Sequence, residues 1–268
     1  MKYLKKITTI MFGVAFLIGC QDPEYPAAVP SSTVRSANVV FINAAPDAPT
    51  PQSFLVNNAE ASSTPFPGGS SVPVNPSTEQ FRIANAIYGV VGSDTVSQKA
   101  DLVSQTSATA IQGMGNYTLI LTDTVKRPFG KGSAFASNKG GLSFLSLITD
   151  NLTAPASGNS GIRFLNLAPG APSVFLTKGG TALAGTLSSS RSYKTTTNFT
   201  SFTSIAAGAY TNIDVRTGSV TGTIIATLPS TTFADGKLYT IFLSGKAVKI
   251  GSSTKVKVPY AVNVVSHN

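Results

Sequence analysis

From residue 36 onward the apolar positions of this chain fall in short runs of Val, Ile, Leu, Phe and Tyr, separated by clusters of Pro, Gly, Asn, Ser and Thr. Nowhere in that stretch do apolar side chains keep the spacing of three and four that a helix needs, so the pattern predicts strands and turns. In the first part, strands are predicted at 39–42, 54–56, 82–87, 88–91, 101–103, 117–121 and 142–149, with Asn57 and Asn58 as a turn. The proline-rich stretch 64–77 reads as a surface loop and 126–141 as a glycine-rich basic loop. In the second part, strands are predicted at 162–165, 174–176, 193–202, 212–216, 223–228, 238–243 and 262–265, with Lys178, Gly179 and Gly180 as a hairpin turn. The alternation of Thr with aromatic residues over 193–202 suits a half-exposed strand.

The two parts echo one another. Phe41, Asn43, Ala45, Pro46, Ala48 and Pro49 recur 123 residues later as Phe164, Asn166, Ala168, Pro169, Ala171 and Pro172. Tyr-Thr-Leu-Ile-Leu at 117–121 recurs 122 residues later as Tyr-Thr-Ile-Phe-Leu at 239–243. Two matches at nearly one offset imply a tandem duplication, with repeats at 36–156 and 157–268. The strand expected at 262–265 aligns with 145–148, so the chain ends where the second repeat should, and no third is expected. About seven short strands per repeat predict an all-β chain of two tandem antiparallel β-sandwiches, immunoglobulin-like or transthyretin-like. A closed barrel, the competing architecture, fits the irregular strand lengths less well.

Lys2, Lys5 and Lys6 precede an apolar run that ends in Leu17-Ile18-Gly19-Cys20, too short to span a bilayer and arranged as a secretion signal. Leu-Ile-Gly-Cys resembles the lipobox of bacterial lipoproteins, which implies cleavage after residue 19 and acylation of Cys20. No other cysteine is present to pair with it. Two or three acyl chains, at about 0.8 kcal/mol per buried methylene, hold a protein on a membrane. Residues 20–35 then read as the lipidated Cys followed by an extended tether rich in Pro and Ser.

Three of the 20 basic residues belong to the leader. Residues 21–156 carry 7 basic and 9 acidic side chains, and residues 157–268 carry 10 basic and 2 acidic. The basic residues of the second repeat are spaced rather than adjacent, as at Lys246, Lys249, Lys255 and Lys257, so they read as a solvated face and not as a nucleic-acid site.

The motif Phe-Ile-Asn-Ala-Ala-Pro-Asp-Ala-Pro at 41–49, the segment 205–216 with Gly208-Ala209-Tyr210, and 147–152 with Pro155 resemble a family of bacterial extracellular domains of unknown function. Such domains occur in tandem in lipoproteins of Gram-negative bacteria. The resemblance covers nearly all of the mature chain and implies a fold and an address, with no chemistry. The first copy has Asp47 where the second has Gly170.

The inventory of reactive groups is thin. His267 is the single histidine and is expected at a solvated strand end, a poor place for a catalytic base. One histidine and one lipidated cysteine make no zinc site, and the scattered acids make no calcium loop. The Gly-x-Gly at 113–115 reads as a turn. Asn43 and Asn166 are expected to satisfy backbone groups of the proline loops that follow them. Tyr25, Tyr88, Tyr117, Tyr193, Tyr210, Tyr239 and Tyr260 offer sugar-stacking faces, against a default of core packing.

The expectation is therefore a non-catalytic binding or structural module, anchored through Cys20 to the bacterial cell envelope at the outer membrane. It takes a glycan or an envelope protein as partner, and no nucleic acid, cofactor or metal. The alternative is an extracellular hydrolase acting on polysaccharide. The discriminating observation is a pocket that brings two carboxylates, or a carboxylate and a hydroxyl, within reach of each other.

Overall fold

The computed structural model describes residues 35–48, 51–83, 87–91, 94–98, 109–125, 127, 141–196, 200–250 and 253–267. The leader, Cys20 and the tether lie outside these residues up to position 34, as do the strand expected at 101–103 and most of the loop expected at 126–141. In chain order, the first half holds β1 (Ala37–Asn43), β2 (Gln52–Val56), β3 (Ala59–Thr64), β4 (Gly68–Val74), β5 (Thr78–Glu79), β6 (Phe81–Ile83), β7 (Ile87–Val91), β8 (Asp94–Gln98), β9 (Thr109–Ala110), β10 (Asn116–Thr122), β11 (Ser143–Phe144) and β12 (Ile148–Thr149). The second half holds β13 (Asn159–Asn166), β14 (Val174–Lys178), β15 (Thr181–Ala182), β16 (Thr203–Ala206), β17 (Gly208–Tyr210), β18 (Ile213–Thr217), β19 (Thr223–Leu228), β20 (Thr231–Phe233), β21 (Leu238–Ile250) and β22 (Ser253–Ser266). Among the described residues the one helical element is a 3₁₀ turn at Gly185–Ser188. None of them forms a helix long and apolar enough to cross a membrane.

Each half is built around one sheet. In the first, the order is β11-β10-β1-β4, with β12 also on β10; in the second it is β16-β13-β21-β22. Most pairings are antiparallel, as the sequence predicts, but the central pair of each sheet is parallel. Val39 lies beside Tyr117 and Phe41 beside Leu119. In the second half Ile162 lies beside Tyr239 and Phe164 beside Ile241, the same register with each partner shifted by the sequence offset.

A second sheet faces each of these: β3-β2-β6 in the first half and β15-β14-β18-β19 in the second. Between the layers of the first half lie Val39, Phe41, Phe54, Phe81, Leu119 and Leu121, with Phe41 and Phe54 stacked at 4.8 Å between centroids. The second half encloses Ile162, Phe164, Leu176, Val215, Ile241 and Leu243 in the same way.

A third core joins the halves. Alternate residues of a strand point to opposite faces, so Val40 and Ile42 of β1 and Ile120 of β10 turn away from the first core. They meet Leu165, Leu167 and Phe242 from the second half. The two central sheets are thus covered on both faces, which is why 39–42, 117–121 and 239–243 are largely apolar rather than alternating, with Thr118 and Thr240 as the polar exceptions. Arg35–Asn268 accordingly forms one compact unit. Gly69 on β4 serves the same junction, since a Cβ there would lie 2.7 Å from a methyl of Val265 on β22.

Several elements depart from the sequence expectation; 142–149, expected as one strand, forms two short ones, β11 and β12, each paired with β10. The stretch 64–77 contains β4, a full partner of β1 and not a loop. Pro73 is tolerated because β4 is an edge strand, where a missing N–H breaks no inner ladder. Residues 193–202, expected as a strand, form none among those described. Lys194 takes a left-handed conformation (φ +62°), and Tyr193 and Lys194 are both drawn to Asp123 of the other half. The predicted turns hold: Asn57 and Asn58 (φ +47° and +71°) close one hairpin, Gly179 and Gly180 (φ +57° and +83°) its counterpart.

Candidate functional site

The titratable side chains concentrate where the halves meet. Arg163 sits on the face of β13 that carries Leu165 and Leu167, at the place equivalent to Val40 in β1, and is 1% exposed. Its Nη1 donates to Asp150 Oδ1 at 2.6 Å and to the Thr200 carbonyl at 3.1 Å. Nη2 donates to Thr118 Oγ1 at 3.0 Å, and Nε to Thr240 Oγ1 at 3.0 Å. Thr118 in turn donates to Asp150 Oδ2 at 2.5 Å. Thr118 and Thr240 are the same position of the echoed Tyr-Thr run.

His267 completes this network, which corrects the expectation of a solvated strand end. It is 6% exposed because its backbone N–H donates to Leu238 and carries the end of β22 along β21, just as the Asp150 N–H donates to Asn116 beside β12. Asp150 and His267 therefore occupy equivalent positions, each next to the threonine of its own half. His267 Nε2 lies 2.7 Å from Thr240 Oγ1, and Nδ1 lies 3.5 Å from Asp150 Oδ2 without a hydrogen bond. Burial, then the charge of Arg163, pushes the His267 pKa down to about 3.

An aspartate, a histidine and a hydroxyl in sequence have the order of a nucleophilic triad. Here the hydroxyl is Thr240, 0% exposed and already accepting from Arg163, and the histidine is a very weak base. What the arrangement does chemically is satisfy a buried charge with partners drawn from both halves.

A second cluster lies at the far end of the same interface. Asp123 (φ +74°) accepts from Tyr193 at 2.7 Å, pairs with Lys194, and lies 3.2 Å from Arg127 Nε. Burial raises the Asp123 pKa, but the hydrogen bond and charge of Lys194, with bonds from Ser143 and Tyr193, outweigh it and hold the carboxyl below its ordinary value. Burial, then the Asp123 charge, raises the pKa of Tyr193. Asp47 adds a third link: it accepts the Val125 N–H at 2.9 Å and pairs with Lys246 of the second half at 2.6 Å. At the equivalent place Gly170 leaves room for the Ala247 N–H to reach the Pro169 carbonyl directly. Lys246 is thus an interface residue and not part of a solvated face. Lys257 is exposed, and the side chains of Lys249 and Lys255 lie outside those described.

The remaining candidates have structural places. Asn43 donates to Thr64 and accepts from Ala45; Asn166 donates to Pro172 and Arg191 and accepts from Ala168. Both amides thus tie down the proline loops, as expected. Tyr117 and Tyr239 accept from backbone N–H groups five residues upstream, at 3.0 and 3.1 Å, a tyrosine corner in each half. Tyr210 is buried and Tyr260 packs against the second core. Gly113 and Gly115 flank Met114 (φ +61°) in a turn. Cys20 and Tyr25 lie outside the described residues, as does the side chain of Tyr88.

Two clefts remain. One, of about 250 Å³, opens between Thr149, Asn151 and Thr153 of the first half and Gly161, Thr200, Ser201, Phe202, Ser204 and Leu238 of the second. The other, of about 330 Å³, lies beside the β2–β3 hairpin and has Glu60 and Glu79 on its wall. Glu79 is buried and accepts from the Asn57 amide, while Glu60 is exposed.

The fold defines an all-β protein of sandwich class, and among its described residues buried ionisable groups pair across the junction of the halves. Residues 37–177 match the model of the DUF4397 family, a domain of unknown function, and the chain belongs to that family. The match runs through the first half and on into β13 and β14. No curated protein matches the chain.

Arg163 and Asp150 were missed by sequence reasoning, although a signal existed. Arg163 is a lone charge inside the apolar run 162–165, where the earlier copy has Val40. A charge within a strand buried on both faces requires a partner.

Proposed function

We propose that this protein is a non-catalytic binding or structural module of the bacterial cell envelope, held at the outer membrane by lipid on Cys20. In this reading residues 1–19 are a cleaved signal, 20–35 a tether, and 36–156 and 157–268 a duplicated sandwich domain whose copies have become mutually dependent. The observation that carries the non-catalytic reading is the fate of the single histidine: with Asp150, Arg163 and Thr240 it is sealed in the junction, where it supports cohesion rather than turnover. The lipobox-like Leu17-Ile18-Gly19-Cys20 supports the anchor, and the match to the family supports the domain type.

Among the described clefts, the one with Glu60 and Glu79 on its wall is where a polysaccharide hydrolase would be sought. The test is a screen of the full chain against envelope and storage polysaccharides, alongside Glu60→Gln and Thr240→Val. No release of reducing ends is expected from any of the three. Release by the native chain that Glu60→Gln abolishes would overturn the reading.

A further inference from the structure

We infer that the cleft between the halves is a binding site for an uncharged oligosaccharide, with Phe202 as its stacking face. The inference rests on the binding-module reading above. None of the residues lining this cleft is charged, although charged clusters occupy both ends of the interface; Asn, Thr and Ser groups line it around the Phe202 ring. Hydroxyl and amide groups around an aromatic face form the chemistry that takes a sugar: the ring covers the apolar C–H face, and the rim exchanges hydrogen bonds with its hydroxyls. Asn151 is set up for this. Its Oδ1 accepts from the Thr153 N–H at 3.0 Å and from Thr153 Oγ1 at 2.6 Å, which leaves the Nδ2 donor for a partner outside the protein.

The platform is held from beneath by the buried network. The guanidinium of Arg163 lies 4.8 Å from the centre of the Phe202 ring, and His267 meets the ring edge-on at 5.2 Å. Arg163 also fixes the chain just before the platform through the Thr200 carbonyl. At Gly161 a Cβ would fall 2.3 Å from Leu238 Cδ2 and 3.1 Å from Phe202 Cβ, so the glycine lets both side chains settle into the cleft floor. Neither half alone makes the site: Asn151 and Thr153 come from one, Phe202 and Ser204 from the other. The charges that join the halves thereby set the geometry of an uncharged surface.

The experiment is binding of the full chain to neutral gluco-, manno- and galacto-oligosaccharides, with anionic polysaccharides in parallel, at low and high salt. At least one neutral oligosaccharide should bind with an affinity unchanged by salt. Phe202→Leu, which keeps an apolar cover over Arg163, should lower that affinity about tenfold, and Asn151→Ala several-fold, with both variants still unfolding cooperatively in urea. Absence of binding to every neutral sugar, or binding that both variants leave intact, overturns the inference. Salt-sensitive binding to the anionic polymers alone would overturn the cleft while leaving the module reading in place, whereas polysaccharide cleavage would remove the module reading itself.

Discussion

His267 and Asp150 stand at the same point of two equivalent strand ends and face each other across the junction, with Nδ1 3.5 Å from Oδ2. The histidine belongs to the folded structure only as a neutral group, and this gives the protein a pH dependence whose sign can be worked out. The unfolded histidine takes up a proton near pH 6.5 and the folded one only near about 3, so between these values the unfolded chain binds more protons. Stability is full above pH 6.5 and falls as the pH is lowered towards 3, by up to about 1.4 kcal/mol per pH unit. Asp123, whose pKa is lowered from 3.8, adds a further loss below that value. Urea midpoints measured at pH 7 and 4.5 should differ clearly for the native chain and much less for His267→Gln. Equal pH dependence in the two would place the titration elsewhere.

Arg163 and Asp150 are a fully buried pair, and removing one partner strands the other. Asp150→Leu or Arg163→Met alone should cost about 3 to 5 kcal/mol, while the double variant should cost far less than the two together. Additive losses in a double-mutant cycle read by chemical denaturation would contradict the coupling described here.

Gly170 and Gly158 share a left-handed backbone, with φ of +75° and +80°, but differ in surroundings. A Cβ at Gly170 would sit 2.2 Å from the Ala247 carbonyl oxygen, whereas one at Gly158 would meet nothing within 4 Å. Gly170→Ala should therefore destabilise by about 2 to 4 kcal/mol and Gly158→Ala by about 1 kcal/mol. Thermal melts of the two variants separate steric clash from backbone strain.

The second half alone, residues 157–268, would expose Leu165, Leu167 and Phe242 and leave Arg163 without Asp150. A repeat with its own full set of strands would fold alone if the halves shared no core. With the junction in view, it should melt well below the intact chain or self-associate, as followed by calorimetry and sedimentation. A monomeric fragment as stable as the whole would mean that the shared core contributes little.

Cys20→Ser should move the protein from the membrane fraction to the soluble one and abolish incorporation of labelled fatty acid. Unchanged partitioning would remove the anchor from the proposal.

What could be read from sequence depended on how local its cause was. The runs at 39–42, 117–121 and 239–243 were legible because burial on both faces leaves them mostly apolar, and the asparagine and glycine turns because few residues accept positive φ. The strand at Gly68–Val74 was obscured by prolines that only its edge position makes harmless. The disposition of Tyr193 and Lys194 was hidden because its cause, Asp123, lies about 70 residues away in the chain. Asp150 and His267 could not be paired from sequence for the same reason: their closeness is a product of two sheets packing face to face.

The placement of β1 has a mechanical consequence. The described structure begins at Arg35 and passes at once into β1, a strand paired with β4 along Ala37–Asn43 and with β10 along Asn38–Asn43. A pull applied at residue 35 is directed along that strand, so it loads the two ladders in shear and meets their hydrogen bonds together rather than one at a time. An edge strand in this place would unzip under a small force. Force entering at Arg35 would thus be borne by a strand packed between two cores, Val39 and Phe41 in one and Val40 and Ile42 in the other.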